Sequence, residues 1–293
     1  MLNYLKYMIR VPRKFILNWA ISGGVYLLIL PLAFANSSVE SLLIDTQREA
    51  FRGMSENDTA MSLLGISDWD NVFTLEGMVT TYFLVPFVPL LIGTATIILL
   101  NKLGSKAEED GTFEFVAALP MTRLTVYISQ ALVTVLFGLF VTFAWTNIMF
   151  IPIATMELSQ TLDYGPLMKA TLQAGLAGVS FGALGFALGA FTGKSSMAWA
   201  FGGGLLVFEY LATSLSGTND FFQWIDDNIS SFGAYGNPYQ DGLIGADLML
   251  VLMLVVGSII GVQVGQKLGE QIDSSGLKAL LAILLLIVGI VIA

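Results

Sequence analysis

The chain of 293 residues has no cysteine and no histidine. The first absence removes disulfide frameworks, thiol nucleophiles and thiolate metal sites. The second removes the commonest general base and the commonest metal ligand. Charge is scarce too: Asp, Glu, Lys and Arg make up 12% of the residues, about half the share of an ordinary soluble domain. Basic residues are fewest, 13 against 22 acidic ones, for a net charge of −9. With no basic stripe for phosphates, no nucleic-acid partner is expected.

What is present is apolar: 55% hydrophobic residues and a mean hydropathy of +0.77. Long apolar runs cover residues 15–35, 78–100, 124–151, 169–191, 198–216 and 247–265. A helix needs about 20 such residues to cross a hydrocarbon core. The expected fold is therefore all-α, a polytopic helical membrane protein with six core transmembrane helices in one domain. The lipid bilayer is its first partner. A seventh apolar run, 277–293, is short for a span and is read as a possible extra C-terminal helix.

Residues 1–14 mix Leu2, Tyr4, Leu5, Tyr7, Met8 and Ile9 with Lys6, Arg10, Arg13 and Lys14. Two readings fit: an interfacial helix with its cations among the headgroups, or a basic topogenic flank. Both put the N-terminus in the cytoplasm. The stretch lacks the pattern of a cleaved signal peptide and is expected to be retained. Residues 36–77 carry eight acids, with Arg48 and Arg52 as the two bases, and are read as a partly ordered extracytoplasmic loop. Pro86 and Pro89 are expected to kink the second span. Outer loops are expected at 152–168 and 217–246.

The most informative stretch is the polar island 101–123, NKLGSKAEEDGTFEFVAALPMTR, between the second and third spans. Glu108, Glu109 and Asp110 precede a run, 112–119, with Phe113, Val116 and Leu119 at helical spacing. Acids at a helix start suit the positive end of the macrodipole, and Asp110 or Thr112 is placed to cap it. Pro120 disfavours helical geometry at Leu119, so a helix of about two turns is expected. A short helix tied to a span at each end is a mechanical handle; an ordinary charged loop is the plainer alternative.

This run resembles the acidic, glycine, threonine, glutamate, "LP-x-S/T-R" stretch of exporter permeases in the second class of ATP-binding cassette transporters. Glu108, Glu109, Gly111, Thr112, Glu114, Leu119, Pro120, Thr122 and Arg123 match it. Phe113 departs from it, standing where leucine is commoner. The resemblance implies a coupling helix that docks on a separate ATPase subunit. It implies ATP and magnesium on that partner, no cofactor on this chain and no enzymatic activity of its own. It also implies a second permease copy or a paralogue across the transport pathway. The acids would meet the ATPase, and Arg123 would sit at the membrane edge.

Elsewhere the spans offer little polar chemistry. Glu209, near the middle of the fifth span, is the one ionisable group at that depth. It is a candidate to neutralise a cation or bind a proton, or else a structurally satisfied carboxyl. Glycines four apart (Gly178 with Gly182; Gly257 with Gly261 and Gly265) are read as helix-packing seams. The run GAFTGKSS nearly spells a phosphate loop, but position 188 is leucine where glycine is needed and no strand precedes it. Nucleotide binding on this chain is not expected.

With the N-terminus inside and six spans, Lys6, Arg10, Arg13, Lys14, Lys102, Lys106, Arg123, Lys194, Lys267 and Lys278 fall on the inner side. Only Arg48, Arg52 and Lys169 fall outside, in keeping with the positive-inside bias. The expected protein is thus a multi-pass permease of the cell membrane with loop 101–123 in the cytoplasm. A self-sufficient ion- or proton-coupled exporter using Glu209, and a non-transporting membrane assembly factor, are the alternatives. The cargo is not encoded in any motif.

Overall fold

Apolar stretches rich in Leu, Ala, Phe and Val, broken only by glycine, proline and short polar turns, wind as helices throughout the computed structural model. It describes residues 2–51, 71–84, 87–111, 123–158, 160–192, 194–230 and 232–233. Among these the fold is all-α, with no strand. The helices are α1 Leu2–Arg10, α2 Arg13–Leu27, α3 Ile29–Phe34, α4 Ser37–Phe51 and α5 Leu75–Met78. They continue with α6 Phe87–Leu103, α7 Ser105–Glu109, α8 Arg123–Thr155, α9 Tyr164–Thr192, α10 Ser195–Ser214 and α11 Asp220–Asn228.

Two stretches among the described residues are long and apolar enough to cross a membrane, Arg13–Phe34 and Ile128–Thr155, and Phe87–Leu103 is a shorter apolar helix. The expected sixth and seventh apolar runs lie outside the described residues, as do Gly257, Gly261 and Gly265. The first run divides at Leu28, between α2 and α3. Pro31 explains the break, since it has no N–H for the Leu27 carbonyl.

Several element limits move from those expected, each for a local reason. The second helical stretch begins at Leu75 and passes through a π turn, Val79–Leu84, before α6. Thr74 sets that start by accepting the Gly77 N–H at 2.9 Å. Pro89 falls in the first turn of α6, where a missing N–H leaves no bond unmade; Pro86 lies outside the described residues. α8 runs through Pro152 to Thr155, so the outer loop expected at 152–168 shrinks to the stretch between Thr155 and Tyr164. Within 36–77 the chain forms α4, capped by the Asn36 carboxamide accepting the Ser38 N–H at 3.0 Å. Arg48 of α4 stacks on Phe73, 5.1 Å from the ring centroid. The segment expected as an outer loop from 217 contains α11, whose cap is Asn219 accepting the Phe221 N–H at 2.8 Å.

α9 is the hub, packed against α6, α8 and α10. Its glycines let neighbouring backbones come close. A Cβ on Gly178 would lie 2.8 Å from the Gly93 nitrogen of α6, and one on Gly185 would lie 2.9 Å from the Ala198 carbonyl of α10. Thr96 spans the first contact, its hydroxyl directed at the carbonyls of Gly93 (2.9 Å) and Gly178 (3.2 Å). α2 is fastened to α8 by Trp145, whose Nε1–H donates to the Trp19 carbonyl at 2.8 Å while its ring fills the space above Gly23.

Candidate functional site: the head of the polar island and the helix it touches

The polar island does not begin at residue 101. Asn101 and Leu103 are buried in the last turn of α6, 5% and 8% exposed. Helical pairing continues there, with the Gly104 N–H donating to the Leu100 carbonyl at 2.8 Å. Gln130 of α8 donates its Nε2–H to the Leu103 carbonyl at 2.8 Å, so the two helices flanking the island are joined at its root. Gly104 makes the bend into α7 possible, since any side chain there would collide with the Phe186 ring of α9.

Glu108 and Glu109 close helix α7. The helix at 112–119 that they are expected to precede lies outside the described residues; they also sit at the C-terminal end of α7, the less favourable end for an anion. Gly111 has φ of 71° in open surroundings, a left-handed geometry natural for the glycine that ends a helix. Asp110 and Gly111 are exposed. Thr112, Phe113, Glu114, Leu119 and Pro120 lie outside the described residues, and so does the expected helix at 112–119. Arg123 opens α8.

Glu109 compensates for its position by reaching a different helix. Its Oε2 accepts the backbone N–H of Ser195, the first residue of α10, at 3.4 Å. Lys194, the residue at the cap position of α10, offers no side-chain acceptor, so the Glu109 carboxylate supplies the negative charge that a helix start favours. Asn101 reinforces the junction, donating Nδ2–H to the Ser195 hydroxyl at 3.2 Å. Ser195, in the run GAFTGKSS that falls short of a phosphate loop, is thus the partner of Glu109 and Asn101. Nothing in residue spacing signals this, because 86 residues separate Ser195 from Glu109.

Glu209 lies on α10 and is 3% exposed, buried within the helix bundle. One helical turn further on, Thr213 begins a polar chain that sequence reading missed. The Thr213 hydroxyl donates to Asp226 Oδ1 at 2.6 Å. That spends its single proton, so the Ser230 hydroxyl, 2.8 Å away, donates to Thr213 Oγ1. Ser230 Oγ in turn accepts the N–H groups of Phe232 and Gly233, both at 3.2 Å. Burial pushes the Asp226 carboxyl above the ordinary carboxylate range and the neighbouring Asp227 adds to this, while the bonds from Thr213 and Ser216 pull the other way. Phe232 seals the inner side of this chain against Phe181 and Tyr210, with ring centroids 5.4 and 5.9 Å away.

α10 is therefore held at both ends by carboxylates from other segments, Glu109 at its start and Asp226 near its finish, with Glu209 between them. Gly178 and Gly182 stand one layer away, where α9 meets Gly93 and Thr96 of α6. Comparison with protein-family models, characterised proteins and solved structures gives no match for this chain.

Proposed function

We propose that this chain is the membrane-spanning permease subunit of an ATP-driven exporter, worked by a separate ATPase that docks on the island 101–123. The observation that carries the reading is the run EEDGTFEFVAALPMTR, which resembles the coupling stretch of the second class of ATP-binding cassette exporters. The charge distribution supports it independently, since the six-span arrangement leaves the island on the side richest in Lys and Arg. The length of α9, 29 residues, or about 43 Å at 1.5 Å per residue, is compatible with a span. Its glycines and hydroxyls lower its hydropathy below that of Ile128–Thr155. The union of α6 and α8 at Leu103 and Gln130 supports the mechanical part, because a push on the island would bear on both helices together.

In this reading the chain works as one of two copies, or beside a paralogue, with the pathway between them and ATP and magnesium held by the partner. The chemistry of hydrolysis belongs to that partner; this chain converts its closure into helix movement. A ligand can drive such movement only through its different affinity for the two states. The buried Glu209 favours a second reading, a proton- or ion-coupled exporter that needs no ATPase.

Charge reversal tests the docking surface. Glu108→Lys with Glu114→Lys, leaving Glu109 in place for α10, is expected to abolish co-purification of the ATPase while the chain still inserts and folds. Undiminished association of the double variant would contradict the proposal.

A further inference from the structure

We propose that α10 is a third helix driven by the island, and that the Glu109–Ser195 contact is the linkage. This rests on the reading of 101–123 as the receiver of work, and extends it from the two helices covalently attached to the island to one that is not. Four contacts concentrate at this junction. Glu109 Oε2 accepts the Ser195 N–H at 3.4 Å, and Asn101 donates to the Ser195 hydroxyl at 3.2 Å. Gly104 lies against Phe186 with no room for a side chain. Gln130 holds the Leu103 carbonyl at 2.8 Å. The last two fix the root of the island to α9 and α8, and Asn101 ties it to α10; Glu109, as the last residue of α7, moves with that helix. The Glu109 carboxylate is turned to the chain's own helix. It acts as a positioning residue, whereas Glu108 and Glu114 are left to the partner.

The consequence is specific. Movement of the island would reach the first turn of α10, and along that helix Glu209 and the Thr213–Asp226 bond. The start of α10 allows the linkage to be cut from either side. Ser195→Pro removes the N–H that Glu109 accepts, at the first helical position, where proline is well tolerated. Lys194 already has the extended geometry a following proline requires, φ −122° and ψ 124°. Ser195→Ala keeps the N–H and removes only the hydroxyl.

The test is amide hydrogen exchange on the full chain purified with its ATPase, with and without ATP and vanadate. In the unmodified complex, nucleotide is expected to change exchange in peptides covering both 101–111 and 195–201. In Glu109→Ala and in Ser195→Pro the change at 195–201 should shrink by about 3- to 10-fold, the range a single lost cap implies. The change at 101–111 should persist, and Ser195→Ala should behave as the unmodified protein. An undiminished response at 195–201 in both cut variants would overturn the linkage. So would loss in Glu109→Ala but not in Ser195→Pro, which would make Glu109 a docking residue for the ATPase. A nucleotide response at 101–111 with none at 195–201 in the unmodified complex sinks this inference alone. Silence at both segments, or no ATPase to purify, sinks the reading beneath it as well.

Discussion

At the residue scale, carboxylates decide how the ends of α10 are held, and the two that matter differ in kind. Glu109 is exposed and acts through charge at a helix start. Asp226 is half-buried and serves as acceptor for Thr213, with its carboxyl raised above the ordinary value of 3.8 mainly by burial. For an acid raised in the folded state, the stabilising contribution is fully present below the unfolded value and is lost as pH rises through the folded one. Docking of α11 on α10 should therefore be tightest in acid and weaken from about pH 4 upward. Asp226→Asn keeps an oxygen for the Thr213 hydroxyl and cannot ionise. Thermal unfolding in detergent should show Tm falling with rising pH over this window for the unmodified chain and a flatter profile for Asp226→Asn. Equal slopes would remove Asp226 from the account.

These residue roles were unevenly legible. The absence of cysteine and histidine and the isolated Glu209 could be read directly, and Glu209 is indeed buried, 3% exposed. The Asp226, Thr213, Ser230 chain could not be read, because Asp226 and Ser230 look like ordinary polar residues of a loop and Thr213 like one of the hydroxyls of an apolar run. Only the turn after α11, closed by Gly233 against Asp226 with no space for a side chain, brings them together.

At the element scale, hydropathy located the long apolar helices α2, α6, α8, α9 and α10 but not α4, α7 or α11, and the limits of all of them followed capping and packing. The sequence reading stopped the second helix at Leu100, yet helical pairing runs on to Leu103 because Gln130 and Phe186 shelter that turn. It stopped the third before Pro152, yet α8 carries on through that proline to Thr155, the Ile148 carbonyl receiving no N–H from residue 152. Glycine spacing in α9 did indicate where backbones meet, and the contacts make a quantitative distinction. Gly178→Ala would put a methyl group 2.8 Å from the Gly93 nitrogen and from Ile92 Cβ. Forcing α6 and α9 apart should destabilise the protein by about 1–3 kcal/mol. Gly203→Ala in α10 meets nothing within 4 Å and should be neutral or stabilising by up to about 1 kcal/mol. Thermal unfolding of the two variants side by side checks this; equal losses would mean that the close approach of α6 and α9 is not what Gly178 provides.

At the scale of the whole molecule, sidedness is the property on which the functional reading depends. It came from the distribution of 13 cations rather than from any fold feature, and helix packing alone carries no label for inside or outside. The cysteine-free chain makes it directly measurable with single introduced thiols. Gln223→Cys, on exposed α11, should react with a membrane-impermeant maleimide in intact cells. Lys106→Cys, exposed on α7, should react only after the membrane is opened. The reverse pattern would place the acidic island outside, beyond reach of any cytoplasmic ATPase.

The central claim is that this chain does no work without a second protein that hydrolyses ATP. Affinity purification of the full chain from its native membranes in mild detergent, with mass spectrometry and an ATPase assay on the eluate, tests it most directly. The account predicts a stoichiometric ATPase subunit whose hydrolysis accompanies the chain through purification. A pure chain that carries no ATP-hydrolysing partner, recovered folded and in good yield, would contradict it.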